Sequence, residues 1–278
     1  MNNRDKRKKI AEDTLAILEA GHYTTPSGKK IDIASAQAQA ETGTKLYTPA
    51  ESDLLLQEQA YLRQEELATR ITVINETTLN AVRALVAEGA QDVLCLNFAS
   101  ARNPGGGFLG GNQAQEESIA RSTGLYNCQL RTPDYYEVNR ATKSCVYTDH
   151  MIYSPAVPII KDEEGNNLEE LVTCAVITAP AVNTGVVKNR EPERMGEIEQ
   201  IMKRRISKVL AIALENQHRN IVLGAWGCGV FQNDPQDIAV YFREVLESSF
   251  KGQFEQIVFA IYARQDSFIN PFIKEFSH

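Results

Sequence analysis

From Ile71 onward the chain alternates short β-branched runs with longer amphipathic ones, and this alternation limits the possible folds more than any other feature. Ile71 to Asn75, Val93 to Phe98, Thr173 to Thr178, Asn220 to Ala225 and Gln256 to Tyr262 are short and largely apolar, the pattern of strands covered on both faces. Between and after them, Thr78 to Gly89, Ile119 to Leu130, Tyr135 to Ala141, Gln236 to Ser249 and Ser267 to Phe276 read as helices. Glu193 to Gln217 is the longest, with Ile198, Ile201, Ile206, Val209, Leu210 and Leu214 at helical spacing. Met151 to Ile160 reads as a further strand, and Pro155 and Pro158 place it near an edge or at a bulge. Asp162 to Asn167 reads as a turn. Strands and helices in this order predict an α/β sandwich with helices on both faces of a central sheet.

The first 70 residues differ. A helix is predicted over Asn3 to Ala20 and stopped by Gly21, with a basic start that reads as a solvated face. A small hairpin follows over Tyr23 to Ile33, then helices over Ala34 to Thr42 and Ser52 to Ala68. This segment carries no chemical motif, so residues 1–70 are expected to form a helical extension packed on a core of 71–278. A length of 278 residues suits one elaborated domain. No apolar run approaches the roughly 18 residues of a membrane span, and no leader pattern opens the chain. Five scattered cysteines and four histidines without clustering predict reduced thiols, a cytoplasmic setting and no metal site. A net charge of −7 argues against direct DNA binding and leaves room for a small phosphorylated ligand, which backbone N–H groups can hold.

In such folds ligands sit where strands lead into helices. Three loops stand at that position: Ala99 to Glu117, Ala179 to Gly185 and Gly224 to Pro235. The first places five of the 17 glycines within seven positions and ends in Gln115-Glu116-Glu117. Glycine lets backbone amides approach a ligand. Neither glycine-rich loop, Ala99 to Glu117 or Gly224 to Pro235, fits the spacing of a dinucleotide fingerprint or a P-loop. Adjacent carboxylates at a helix start can simply favour the helix dipole. They point about 100° apart, so one can hold sugar hydroxyls while the other transfers a proton. A helix N-terminus lowers a carboxyl pKa, whereas a neighbouring carboxylate and a bound pyrophosphate raise it.

Gly105-Gly106-Gly107, seven residues, then Gln115-Glu116-Glu117 resembles the signature of microbial poly(ADP-ribose) glycohydrolases. So do Asn97 to Gly107, Gln115 to Tyr126, Met151 to Pro155, Thr178-Ala-Pro180 and Gly224 to Phe231, and the resemblance runs from about Tyr23 to Tyr262. It implies a macrodomain-like three-layer α/β/α sandwich with a mixed central sheet and an N-terminal helical extension. It also implies a metal- and cofactor-free glycosidase whose substrate is poly(ADP-ribose), or ADP-ribosylated protein, and whose product is ADP-ribose, with cleavage at the chain terminus; an acidic monomer is the default expectation. Glu117 would be the catalytic acid, and Glu116 and Asn103 would position ribose hydroxyls. Gly105, Gly106 and Gly107 would give the ligand room. Gly227, Cys228 and Gly229 would meet the pyrophosphate, with Val230 beside them in the substrate loop, and Phe231 would pack on the distal ribose. Gln115 would tie down the loop or touch the adenine side. A mono-ADP-ribosyl hydrolase and a non-catalytic ADP-ribose reader are the competing readings; the intact Glu116–Glu117 pair disfavours the reader.

Four residues also have simpler readings, Cys228 of the set above among them. Asp149-His150 could be an acid–base dyad but, with no nucleophile near, reads as a surface loop. Cys228 lacks an activating base and reads as small packing. Trp226 either lines the cleft or supports its loop from behind.

Overall fold

Strands and helices fall close to the alternation in the sequence. The structure, a computed structural model, describes residues 2–64 and 66–276. In chain order it contains α1 (Asn3–Ala20), β1 (His22–Thr24), β2 (Lys30–Asp32), α2 (Ala34–Gly43), β3 (Lys45–Tyr47), α3 (Pro49–Glu58), β4 (Arg70–Ile74) and α4 (Thr78–Ala87). Then come β5 (Val93–Phe98), α5 (Gln115–Ser122), α6 (Leu125–Leu130), α7 (Pro133–Ala141), β6 (Met151–Lys161) and β7 (Asn167–Ala179). The chain continues with α8 (Thr184–Arg190), α9 (Ile198–Glu215), β8 (Asn220–Leu223), α10 (Pro235–Glu247), β9 (Gln256–Ala260) and α11 (Asp266–Phe276).

Seven strands form one mixed sheet in the order β3-β6-β7-β5-β8-β9-β4. From β7 to β4 every neighbour is parallel, whereas β6 runs antiparallel to both β7 and β3. Side chains of successive strand residues enter opposite layers. Leu94 and Leu96 of β5 join one core with Ile177, Ile221 and Phe259, under α9, α10 and α11. Val93 and Cys95 join the other with Val176, Val222 and Val258, under α4, α5 and α6. Burial on both faces is why these strands lack polar alternation.

The departures have local causes. The helix expected over Ser52 to Ala68 is Pro49–Glu58 instead. Thr48 and Glu51 form a reciprocal capping box that starts it early, and Gln59 ends it in the left-handed region at φ 50°. The chain then runs beside 250–254, with Leu67 N–H donating to Gly252 O (2.7 Å) and the Thr69 hydroxyl to Phe254 O (2.7 Å). Helix Ile119 to Leu130 is two helices, because Gly124 N–H donates to Pro158 O (3.0 Å) and Thr123 bridges to Ile159. β6 carries the expected bulge between Ser154 and Val157, with Ala156 at φ 45°, and β3 covers its outer edge. A boundary at residue 70 therefore leaves β3, one strand of the main sheet, on the extension side. α1 lies over the glycine-rich loop, packing Ala11 against Phe108 and Ala120.

Candidate active site

β5, β7 and β8 run parallel, so the loops after them leave the sheet on one side. The second and third loops are tied together. Gly185 N–H donates to Phe231 O (3.0 Å), Asn233 Nδ2 to Val182 O (2.8 Å) and Thr184 Oγ1 to Asn233 Oδ1 (2.6 Å). Gly227, at φ 76°, fits there because a Cβ would stand 2.6 Å from that of Ala181.

In the first loop, Gly106 has φ 58°, and a Cβ on it would stand 2.5 Å from Glu117 Oε1 and 3.1 Å from Glu116 Oε2. Both carboxyls therefore flank the same point of backbone, and a side chain there would displace them. Their surroundings differ. Glu117 is half-buried, and its Oε1 accepts the Gly107 N–H at 2.9 Å. Among the described residues nothing bonds its other oxygen. Glu116 is 3 % exposed. Its Oε2 accepts Ser100 N–H (2.6 Å), and its Oε1 accepts Asn97 Nδ2 (3.2 Å) and Gln129 Nε2 (3.1 Å). Burial pushes the Glu116 carboxyl up to about 8, and the Glu117 charge adds to this; the three donors act the other way. The raised carboxyl is thus Glu116, through desolvation rather than through its neighbour first.

Gln115 binds the framework and not open space. Its Oε1 accepts Phe98 N–H (2.8 Å), while Nε2 donates to Leu96 O (2.7 Å) and Thr78 Oγ1 (3.1 Å). Both amide hydrogens are thus engaged in ties to β5 and α4, while one acceptor position of Oε1 stays open. Asn103 is exposed, and its carbonyl accepts Gly106 N–H (3.0 Å) to close the turn. Gly229 and Val230 are exposed, whereas Cys228 is buried and its thiol is pushed up by burial. Phe231 is half-buried with its ring 6.0 Å from that of Tyr147. Trp226 is fully buried, so it supports the loop from behind. The Asp149–His150 dyad does not form: Asp149 pairs with Arg205 (2.9 Å) and Lys208 (2.8 Å), and His150 Nδ1 contacts Thr148 Oγ1 (2.9 Å). Among the described residues no group of three or more His, Cys, Asp or Glu could hold a metal ion, and no helix is long and apolar enough to cross a membrane.

A cleft of about 840 Å³ adjoins the site, lined by Phe98, Gln115, Ala225, Gly229, Tyr262 and Phe268 and reaching α1 at Lys6 and Arg7. Glu116 and Glu117 lie outside this lining, on the helix whose first residue, Gln115, forms part of the wall. Tyr262 is 69 % exposed, a flat aromatic free to stack on a base. The sequence signal for it was only its place at a strand end. Asn97 was visible as the one polar residue in an apolar strand; Gln129 gave no signal. The basic start of α1 is not merely solvated: Arg4 Nε donates to Gly110 O (2.8 Å) and Arg7 Nε to Gly111 O (2.7 Å).

A family described as the microbial-type PARG catalytic domain matches residues 11–162. The structure of poly(ADP-ribose) glycohydrolase (PARG) from Thermomonospora curvata is similar at 43% identity and TM-score 0.92, covering 97% of this chain and 99% of that one. The same enzyme bound to the inhibitor ADP-HPD gives 43% and 0.90 with the same coverage. The glycohydrolase from Deinococcus radiodurans in complex with ADP-ribose gives 42% and 0.82, covering 88% of this chain and 98% of that one. No curated protein matches.

Proposed function

The chain belongs to the microbial-type poly(ADP-ribose) glycohydrolase family, and we propose that it removes ADP-ribose from the end of a poly(ADP-ribose) chain with Glu117 as general acid and base. The observation that carries this assignment is the Glu117 carboxyl, held through Oε1 by the Gly107 N–H against the Cβ-free backbone of Gly106, with no bond to its second oxygen among the described residues.

Glu117 donates a proton to the ribose oxygen of the preceding unit as the C1″–O bond breaks. The terminal ribose passes through an oxocarbenium-like state. Water then attacks C1″, and the Glu117 carboxylate takes its proton, which restores the acid and releases ADP-ribose. Glu116 holds ribose hydroxyls beside the reacting carbon. The pyrophosphate lies along the backbone of Gly227 to Val230, the distal ribose against Phe231, and the adenine in the cleft with Tyr262.

Purified protein should release ADP-ribose from polymer. Glu117→Gln should lower kcat by about 10²- to 10⁴-fold, the range for losing a general acid–base group, with ADP-ribose affinity retained. Binding without release in the wild type would leave the reader, and release only from mono-ADP-ribosylated protein would leave the mono-ADP-ribosyl hydrolase.

A further inference from the structure

Behind Glu116 lie buried polar groups that do not all pair among the described residues. Gln129 on α6 is fully buried, and its Nε2 has a single partner, Glu116 Oε1 at 3.1 Å. Its Oε1 has none. The other two donors to Glu116 are the Ser100 N–H, which can only donate, and Asn97 Nδ2, which also binds Thr178 Oγ1 at 3.2 Å. All three suit a carboxylate, and none as placed can accept a proton from the carboxylic acid. A half-turn about the last side-chain bond of Gln129 supplies that acceptor and pairs the orphan oxygen. Asn97 Oδ1 is likewise without a partner among the described residues, but turning that amide also requires the Thr178 hydroxyl to reverse from acceptor to donor, whereas Gln129 turns with no second bond to rearrange.

We propose that Gln129 is a positioning residue of the reaction whose amide turns over with the charge of Glu116: Nε2 donates to the carboxylate, and Oε1 accepts from the carboxylic acid. Glu116 thereby keeps one orientation in both protonation states. The titratable groups facing it are Glu117 on its own helix and Tyr135 and Tyr136 on α7; α6 and β5 present the neutral Gln129 and Asn97. Both tyrosine hydroxyls are buried without a partner among the described residues. Burial chiefly, and the Glu116 charge in addition, push both phenols up. The consequence for catalysis rests on the reading that Glu116 holds sugar hydroxyls: a carboxyl kept in register through its titration sustains substrate positioning across that pH range.

The test is an NMR titration of wild-type protein labelled with ¹³C at glutamate carboxyls and ¹⁵N at glutamine side chains, with Glu116 assigned by loss of its signal in Glu116→Gln. The Gln129 Nε2 resonance should move with the Glu116 carboxyl, near pH 8. The hydrogen-bond coupling between them should be present above that midpoint and absent below it. Gln129→Leu should shift the Glu116 midpoint upward by up to about one pH unit, because losing a donor costs a carboxylate more than losing an acceptor costs the acid. The pH limb of kcat/KM on polymer should move with it. A coupling that persists through the titration overturns the proposal, as does a folded Gln129→Leu protein with an unmoved midpoint. The wild-type measurement stands even if that variant does not fold. Amide turnover in a protein that leaves polymer intact would refute the glycohydrolase reading alone, and polymer degradation with a fixed amide would refute this one alone.

Discussion

Glu116 and Glu117 are neighbours in sequence, yet the fold gives them opposite settings, and the difference has a thermodynamic consequence. The buried Glu116 carboxyl is raised to about 8 from an ordinary value near 4.5. Between those two pH values the folded protein binds more protons than the unfolded chain, so this group makes stability fall as pH rises and then level off above about 8. Glu116→Gln removes that contribution. In urea denaturation at pH 5 and pH 8, wild type should lose on the order of 3 kcal/mol relative to the variant, at about 1.4 kcal/mol per pH unit. A parallel dependence in both proteins would mean that Glu116 ionises normally. The sequence identified the pair through its spacing from Gly105–Gly107, but it did not show which carboxyl is desolvated. That depends on Ser100, Asn97 and Gln129, which come from a loop, a strand and a different helix. Asn97 alone leaves a local trace, as the polar residue of an apolar strand; the Ser100 amide and Gln129 leave none.

α1 is the element whose role changed most between sequence and structure. Its limits were legible, because Gly21 stops it at φ 72° after a regular apolar stripe. Its basic end gave no hint of a target, since Gly110 and Gly111 lie over 100 residues away in sequence. Arg4 and Arg7 hold the two carbonyls at the far end of the glycine-rich loop, and the buried Arg121 adds a bond to Asn112 O (2.8 Å). The Arg4→Ala/Arg7→Ala double variant should therefore loosen the loop without disturbing the sheet. Hydrogen exchange should accelerate at the amides of Gly107 to Asn112 and stay unchanged in β5. kcat/KM should fall several-fold with little change in Tm, since each exposed or half-exposed bond contributes about 1 kcal/mol. Unchanged exchange in the loop would reduce α1 to packing. β3 was missed for a different reason. Lys45-Leu-Tyr47 is too short to show alternation, and it becomes a strand only by pairing with β6.

A molecule of net charge −7 that acts on a polyanion has to engage its substrate locally. Parallel β5, β7 and β8 bring three loops of distant sequence to one edge, two of them rich in glycine. The alternation of elements made the three layers and the importance of these loops legible, but not which strands lie side by side, because pairing is fixed by packing between segments far apart in sequence. The adjoining cleft carries Lys6, Arg7, Arg121 and Arg264 against Glu76, Glu163 and Glu164, so its cations are nearly balanced. Only the two phosphates of the terminal unit should then contribute to the salt dependence. At about 0.7 counterions per phosphate for a single strand, the slope of log kcat/KM against log salt concentration should be no steeper than about −1.4. Steady-state rates on polymer between low and physiological salt measure it directly. A markedly steeper slope would mean that several further units of the chain lie along the protein surface, and recognition confined to the terminal unit would be wrong.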